Sequence, residues 1–441
     1  MKSSNRLTRR IALSMAAGIL VGYACHSFLS PEATKALAGY LAVVTDCFLR
    51  LIKMIIAPLV FATLVSGIAA MDDSKAIGRI GAKAIGWFVV ASLLSLSVGL
   101  IFVNLTRPGV GLNLPLPAAD ASSGLKAVGF NLKDFAASIV PKSAIEAMSN
   151  NAILQIVVFA AFFGVALGKL RGSAGATLRY GIDELMKVML HVTNAVMLLA
   201  PLGIFAALAS TVSVNGLAVL VTYGKFIGFF YIALFALWLI LYGAARVVLK
   251  HRALPLIRVI REPLMIAFST ASSEAAYPKL IESLQSFGIR QRMVGFVLPL
   301  GYSFNLDGSM IFQAFSAVFI AQAFGIDMPL GQQVTMMLVL MISSKGMAAV
   351  PRGSLVVVAA ILPMFGLPES GMLLIMAIDQ FLDMGRTATN ILGNSVATAV
   401  IAKWEGDLLP EGQVLIPSDT AADLSPPPVA TGPAYHATQH S

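Results

Sequence analysis

Long apolar stretches recur along the whole chain, and they constrain its fold more than any other feature. Each is long enough for a helix to cross the hydrocarbon of a bilayer, which takes about 20 residues. Only 12% of the 441 residues are charged and 57% are hydrophobic, about half the charge content of a soluble protein. We therefore predict an all-α polytopic membrane protein. The stretches fall at about 11–29, 39–70, 84–106, 153–170, 189–212, 217–249, 294–322 and 372–404.

The placement of Lys and Arg predicts which connections face the cytoplasm, because basic residues are retained on that side. The N-terminus is basic, and basic residues follow the second, fourth and sixth stretches. The connections near 213–216, 324–331 and 366–371 contain no Lys or Arg, so they fit the opposite side. We expect a multi-pass protein of the plasma membrane, the inner membrane of a bacterium, with both termini cytoplasmic. An N-terminal signal peptide is the alternative to a retained first helix, but the hydrophobic segment that follows favours the helix.

Two further apolar segments, 254–288 and 332–368, are each interrupted by a cluster of small polar residues and a proline. The first has basic residues at both ends, whereas the second has none at either end. Each should therefore enter and leave the membrane on one side, and the two should insert from opposite faces. Two oppositely oriented re-entrant hairpins, each followed by a spanning helix, form an inverted repeat. Interrupted helices in matching positions of two halves point to the binding site of a transporter.

Five polar residues form a stripe within the last apolar stretch, at spacings of 4, 3, 4 and 4 residues. With 3.6 residues per turn they share one narrow face of a helix. Ionisable groups at membrane depth are costly, so they rarely persist without a partner or a function. The stripe therefore suits a small zwitterionic or anionic solute. Its members are Asp379, Asp383, Arg386, Asn390 and Asn394.

Arg386 and Asp383 are the charged pair at the centre of this stripe. Arg386 can hold a carboxylate through two parallel hydrogen bonds. Asp383, one turn earlier, can take an ammonium group, so the pair suits an acidic amino acid. The alternative is a salt bridge between the two that only locks the helix. The continuation of the stripe to Asn390 and Asn394 favours a site.

Two short motifs supply further candidates. Ser272 and Ser273 lie at the expected tip of the first hairpin, where helix N-termini can face a carboxylate. The alternative is that small residues let helices pack closely. The tetrapeptide at 305–308, Asn-Leu-Asp-Gly, interrupts the seventh stretch and offers oxygen ligands to a small cation. The alternative there is a kink in which Asp307 pairs with a neighbouring cation such as Lys345.

Four motifs carry a family resemblance, namely Ser269–Pro278, Gly301–Gly308, Ser344–Gly346 continuing to Val350-Pro351, and Asp379–Asn394 ending in Ala402-Lys403-Trp404. Their order and spacing resemble the dicarboxylate/amino acid:cation symporter family. That family includes bacterial glutamate/aspartate and C4-dicarboxylate carriers and animal excitatory amino acid transporters. The resemblance extends over about residues 10–410.

The resemblance implies eight spanning helices and two hairpins, assembled as a homotrimer that works as an elevator. Residues 1–253 would be mainly scaffold and trimerisation helices, although helices 3 and 6 would move with the transport domain. Residues 254–405 would form that transport domain, with hairpin 1, helix 7, hairpin 2 and helix 8. Residues 406–441 are expected to be a disordered cytoplasmic tail. No enzymatic activity, no cofactor beyond coupling ions and no nucleic-acid partner are expected.

The resemblance also implies roles for single residues. Substrate contacts would fall on Ser272, Ser273, Ser309, Val350, Asp383, Arg386, Thr387 and Asn390. Cation coupling would involve Asn305, Asp307, position 394 and the carbonyl groups of Ser303, Ser344 and Asn390. The candidate ligands of a sodium ion are Asn305, Asp307 and Asn390.

Several residues depart from the family pattern. C4-dicarboxylate carriers lack an acid at the position of Asp383, because their substrates have no amino group, so Asp383 favours glutamate or aspartate. Many sodium-coupled members have Asp where this chain has Asn394. Their third-helix site has Tyr, Thr and Ser where this chain has Phe88, Ala91 and Ser92. These differences weaken the expectation of sodium coupling.

Two charged residues point to a different coupling ion. Lys345 places an ammonium in the second hairpin, and Glu274 replaces the final serine of the serine-rich tip. We hypothesise proton coupling in which Glu274 or Asp307 titrates, while Lys345 substitutes for a sodium ion. The predicted function is import of glutamate or aspartate coupled to protons, sodium ions or both. Symport of a C4-dicarboxylate such as succinate, fumarate or malate is the alternative, and Arg352 has no assigned role.

Two other classes of function fit the chain less well. An intramembrane hydrolase would need Ser272 or Ser273 beside Lys345 as the base. These residues lie on oppositely inserted tips, and no oxyanion-hole motif is recognisable. A passive ion channel would need a conducting row of like charges, whereas the stripe mixes both signs.

Overall fold

The computed structural model describes residues 2–69, 74–110, 137, 139–170, 173–216, 223–345, 353–376 and 378–410. Val350 and Arg352 lie outside these ranges, and the side chain of Lys345 is not described. Most of the polar, proline-containing stretch 107–150 and the tail beyond residue 410 also lie outside them.

The described chain is helical, and its single β-bridge joins Ile289 to Leu408. The prediction of an all-α protein is therefore confirmed for this part of the chain. The helices are α1 (Lys2–Phe28), α2 (Pro31–Ala69), α3 (Ser74–Thr106), α4 (Ala144–Ser149), α5 (Ile153–Lys169), α6 (Ser173–Met197), α7 (Ala200–Asn215), α8 (Gly224–Leu249), α9 (Ala253–Val259), α10 (Arg261–Thr270), α11 (Ser273–Ser286), α12 (Gln291–Phe304), α13 (Asp307–Ala323), α14 (Leu330–Lys345), α15 (Gly353–Ile361), α16 (Met372–Met376) and α17 (Asp379–Trp404). Short 3₁₀ turns lie at Lys250–Arg252, Leu362–Phe365 and Glu369–Gly371.

Five helical segments within the described ranges are long and apolar enough to cross a membrane. A sixth span results if α6 and α7, which meet at a 49° bend, cross together. Helix α17 is outside this set because its polar stripe lowers its mean hydropathy. A multi-pass membrane protein is therefore supported, while the full count of eight spans stays a prediction. The five are Arg9–Phe28, Pro31–Ala69, Ile77–Thr106, Gly224–Val259 and Gln291–Ala323.

Two pairs of short helices occupy the segments predicted as hairpins. Helices α10 and α11 pack against each other and are joined by a tight turn. Ala271 adopts the left-handed conformation there (φ 49°), and the Ser272 side chain caps α11 by accepting from the Ala275 N–H at 3.2 Å. Capping of this kind satisfies a backbone donor that the helix cannot pair itself. Helices α14 and α15 likewise pack against each other.

The helix that carries the polar stripe, α17, lies at the centre of the fold. It packs on α8, α10, α11, α12 and α13, and also on α3. Every residue from Met384 to Ala402 is buried. Helices α1, α2, α5, α6 and α7 form a second group. It meets the first where α2 packs on α11 and α12, where α1 and α7 pack on α10, and where α5 packs on α12.

The chain after α17 is held in place by basic residues. Arg79 and Lys83 of α3 bind Glu405, with closest distances of 2.8 and 2.5 Å. Arg292 forms an ion pair with Asp407, and Arg252 donates to the Leu409 carbonyl at 2.5 Å. The structure thus describes residues 406–410, at the beginning of the segment predicted as a disordered tail.

Candidate functional site

A polar cavity of about 220 Å³ lies between the stripe of α17 and two helix pairs, α10 with α11 and α14 with α15. It is smaller than the roughly 300–1,000 Å³ typical of sites for drug-sized ligands, so it suits a small solute. Its lining comes from Ile153, Ala271, Ser272, Ser273, Glu274, Tyr302, Leu306, Ser309, Gln313, Ser344, Gly353, Ser354, Val357, Asp383, Arg386, Thr387 and Asn390.

A larger cavity of about 320 Å³ contacts α17 through Gly385, Ala388 and Thr389. Its other lining residues are apolar or aromatic and come from α1, α8 and α10. No charged side chain lines it, so it offers no group that could hold an anionic solute. The polar cavity is therefore the candidate functional site.

Arg386 is the buried cation of the polar cavity, with only 3% of its side chain exposed. Its Nε donates to Asp383 at 2.6 Å, and its Nη1 lies 3.0 Å from an oxygen of Asp379. The Phe312 ring lies under the guanidinium, with its centroid 4.3 Å from Cζ. Carboxylates and an aromatic face compensate a charge that would be costly to bury alone.

Asp383 is the more accessible partner of this pair, because 26% of its side chain is exposed. Its Oδ1 also accepts a hydrogen bond from Thr387 at 3.0 Å. The salt bridge between Arg386 and Asp383, which the sequence allows as an alternative to a binding site, is therefore formed. It lies on the cavity wall rather than in a packed interface, so it is open to exchange with an incoming charged group.

Asn390 connects α17 to the start of α13. Its Oδ1 accepts from the backbone N–H of Gly308 at 2.8 Å, and its Nδ2 lies 3.4 Å from the Ser309 hydroxyl. A side chain at Gly308 would overlap the backbone of Arg386. Glycine is required at this position because the two helices approach so closely.

The helix break at 305–308 forms a buried polar cluster behind the cavity. Asp307 accepts from Asn305 Nδ2 at 3.1 Å and from the Ser95 hydroxyl at 3.3 Å. Asn305 Nδ2 also lies 3.2 Å from Asn394 Oδ1. The side-chain oxygen of Asn305, Oδ1, is buried and has no hydrogen-bond partner among the described residues. A carboxylate beside an unpaired amide oxygen offers the oxygen ligands that a hard cation prefers.

The turn between α10 and α11 and the end of α14 meet the cavity. Tyr302 donates its hydroxyl to the Ser273 carbonyl at 2.9 Å. Ser344 donates to the Met341 carbonyl of its own helix at 2.8 Å. Glu274 faces Lys53 of α2, with Nζ 3.8 Å from Oε2. Ser303 is buried in the last turn of α12.

Most residues named from the sequence come together in this region. Every expected substrate contact lines the cavity except Val350, which lies outside the described residues. Among the cation-coupling candidates, Glu274 and Ser344 line the cavity, whereas Ser303, Asn305, Asp307 and Asn394 are buried without lining it. A contact between Asp307 and Lys345 falls on a side chain that the structure does not describe.

Several residues of the site were not assigned a role from the sequence. Tyr302 and Gln313 line the cavity, Phe312 stacks on Arg386, Ser95 bonds Asp307, and Lys53 faces Glu274. Signals existed for Ser95, which follows Ser92 by one helical turn, and for Tyr302, which lies within the motif Gly301–Gly308. The others become visible only once the helices are packed.

The oxygen cluster is distinct from a transition-metal site. Within the described ranges, no group of three or more His, Cys, Asp or Glu side chains could hold a metal ion. Amide and carboxylate oxygens such as those of Asn305 and Asp307 instead suit a light, hard cation.

Comparison with known proteins gives consistent results along nearly the whole chain. The sequence model of the sodium:dicarboxylate symporter family matches residues 7–404. The C4-dicarboxylate transport protein of Acinetobacter baylyi is 39% identical over 409 residues, covering 90% of this chain and 91% of that protein. The C4-dicarboxylate transport protein of Pseudomonas syringae pv. syringae is 40% identical over 406 residues, covering 90% of this chain and 88% of that protein. The proton/sodium-glutamate symport protein of Geobacillus stearothermophilus is 37% identical over 406 residues, covering 91% of this chain and 94% of that protein.

Proposed function

Because the chain belongs to the sodium:dicarboxylate symporter family, we propose that it imports glutamate or aspartate by secondary active symport. It is a transporter and not an enzyme, which removes the hydrolase alternative. The proposed location is the bacterial inner membrane, with both termini cytoplasmic.

One observation carries the proposal, namely a buried guanidinium on the wall of a small polar cavity. Arg386 can bind the side-chain carboxylate of the solute through two hydrogen bonds. Ser272 and Ser273, at the N-terminus of α11, can bind the α-carboxylate with backbone N–H groups. Asp383, the more accessible acid, can take the α-ammonium.

A C4-dicarboxylate is the second candidate solute, and the names of the relatives support it. Both C4-dicarboxylate transport proteins and a proton/sodium-glutamate symport protein are similar to this chain over most of its length. The presence of Asp383 favours an amino acid, because a dicarboxylate without an amino group would meet a like charge there. Arg386 and the hairpin tip would serve either solute.

The proposed coupling ion is a proton, a sodium ion or both. The cluster of Asn305, Asp307 and Asn394 supports a coupling site, because it combines a buried carboxylate with an unpaired amide oxygen. Because residue 394 is Asn and not Asp, the cluster has one negative charge fewer to bind a sodium ion. This difference favours the proton as the coupling ion. Glu274 or Asp307 is then the carboxylate that carries the proton, and Lys345 takes the place of a sodium ion.

The proposed mechanism is an elevator movement within a homotrimer. The described packing supports it, since α17, both hairpins, α3 and α8 form one group while α1, α2 and α5–α7 form another. The first group would move with the solute against the second. The hairpins, entering from opposite faces, would close the cavity on either side.

Uptake by the purified protein in liposomes tests this function. We expect accumulation of labelled L-aspartate or L-glutamate when the outside is made acidic in the absence of sodium. Accumulation of succinate without accumulation of either amino acid would mean that the solute is a C4-dicarboxylate and not glutamate or aspartate. Stimulation by a sodium gradient alone would overturn proton coupling, and accumulation of none of these solutes would overturn the function.

A further inference from the structure

We propose that Lys53 is a positioning residue that neutralises Glu274 at the cavity wall and thereby lets an anionic solute bind. The inference rests on the proposed function, because it concerns the same solute cavity. It assigns a role to a residue of α2, which supplies no cavity-lining side chain among the described residues.

The geometry connects the two groups across different parts of the fold. Lys53 Nζ lies 3.8 Å from Glu274 Oε2. Glu274 follows directly after the hairpin-tip serines Ser272 and Ser273 and lines the cavity with them. Lys53 reaches it from α2, which packs against α11. The ammonium thus acts on the cavity through the carboxylate of Glu274.

The charges of the cavity make this compensation necessary. Among the described side chains that line it, the acids Glu274 and Asp383 outnumber the single cation, Arg386. Arg386 is moreover flanked by a second acid, Asp379, at 3.0 Å. An incoming carboxylate would therefore be repelled by Glu274 unless a cation screened that charge. In a partly hydrated site, one unit charge a few ångströms from the solute changes affinity on the order of tenfold.

The pair has little structural role of its own. The side chain of Lys53 is 54% exposed and that of Glu274 is 34% exposed. Ion pairs this accessible contribute little to folding stability. Removal of Lys53 should therefore alter solute affinity without unfolding the protein.

The chain contains a matched control one turn earlier on the same helix. Arg50 is also basic, is 78% exposed and pairs with Asp46 at 2.7 Å. It does not line the polar cavity. Arg50→Met therefore removes a positive charge from α2 without changing the charge of the cavity wall.

Calorimetric binding of L-aspartate and of succinate to the purified full chain tests the proposal. Ionic strength is varied with choline chloride so that sodium is absent. We expect Lys53→Met to raise Kd on the order of tenfold at low ionic strength, and less at high ionic strength because salt screens exposed charges. Lys53→Arg should bind like the wild type, and so should Arg50→Met.

The double variant separates charge compensation from direct contact. Lys53→Met combined with Glu274→Gln should bind about fivefold more tightly than Lys53→Met alone, because the charge that Lys53 compensated is no longer present. Glu274→Gln alone should lower Kd at low ionic strength. Thermal unfolding temperatures of all variants should match that of the wild type.

Three results would overturn the proposal. An unchanged Kd for Lys53→Met in a protein that binds either probe would remove the role of Lys53 and leave the proposed function intact. A double variant as weak as Lys53→Met would mean that Lys53 contacts the solute directly. Failure of the wild type to bind either probe, in choline chloride and again in sodium chloride, would remove the proposed function, and the inference with it.

Discussion

Arg386 donates to Asp383 over 2.6 Å on the wall of the candidate site, so the two groups expected to bind a solute bind each other. Their exposures differ, at 3% for Arg386 and 26% for Asp383. The guanidinium is fixed by its surroundings, whereas the carboxylate can turn away. A solute carboxylate can thus replace or join Asp383 on Arg386, and a solute ammonium can compensate the displaced acid.

Asp383→Ser tests the role of this acid in solute choice. The variant should weaken L-aspartate and L-glutamate at least tenfold more than succinate, a difference of about 1.4 kcal/mol, because only the amino acids lose an ammonium contact. Competition against labelled uptake in liposomes measures the ratio. Equal loss of succinate would contradict the contact between Asp383 and the amino group.

Arg386→Ala should abolish uptake of acidic solutes, because no other described cation lines the cavity. Asp379 would lose a buried partner, so some loss of thermal stability is also expected. Size-exclusion chromatography of the purified variant should still give the assembly of the wild type. Arg386→Lys is the companion variant, and it should bind weakly because it keeps the charge without the planar pair of donors. Tight aspartate binding by Arg386→Ala would contradict the carboxylate clamp.

Asn394→Asp tests the hypothesis that asparagine at this position disfavours sodium as the coupling ion. Aspartate has the shape of asparagine, and the side chain is only 2% exposed beside Asn305. The added charge should strengthen sodium binding, so that sodium stimulates uptake on the order of tenfold more than in the wild type. Flux at varied sodium and constant pH gives the comparison. Unaltered sodium dependence with intact solute binding would exclude this cluster as the cation site.

Glu405→Gln should remove a pH-dependent contribution to stability. Hydrogen bonding from Arg79, assisted by Lys83, lowers the pKa of Glu405, although burial acts in the opposite direction. The carboxylate therefore stabilises the fold fully above its unfolded pKa of about 4.3. That stabilisation is lost as the pH falls through the lower folded value.

Thermal unfolding at several pH values measures this contribution. At neutral pH Glu405→Gln should unfold roughly 1–3 °C below the wild type, and the two should converge in acid. Glu146→Gln, at an exposed acid of α4, is the control and should not change the curve. A difference that persists unchanged into acid would argue against the ion pair as its cause.

Gly308→Ala should separate α13 from α17, because the new methyl group would overlap the Arg386 backbone. Overpacking of this kind typically costs about 1–3 kcal/mol, and it would also weaken the hydrogen bond from Gly308 to Asn390. We expect at least a tenfold loss of uptake together with lower thermal stability. Gly331→Ala is the matched control, since its methyl group would meet no atom within 4 Å. Wild-type uptake by Gly308→Ala would contradict the close approach.

The broad organisation of the molecule could be predicted from the sequence because it follows from local chemistry. Apolar stretches of sufficient length predicted membrane helices, and helical spacing placed Asp383 and Arg386 on one face. The serine cluster at Ser272 predicted a turn, which the structure places at Ala271 and Ser272. Each of these inferences needs only neighbours within a few helical turns.

Contacts between distant segments were decided by the tertiary structure alone. Ser95 bonds Asp307 across 212 positions of the chain, and Lys53 reaches Glu274 from another helix. The Phe312 ring under Arg386 likewise depends on how α13 lies against α17. Hydrophobic periodicity tells which face of a helix is buried, but it does not tell which helix covers that face or at what height. Those two quantities come from the packing of all helices together, and they determine the final set of charges around the solute.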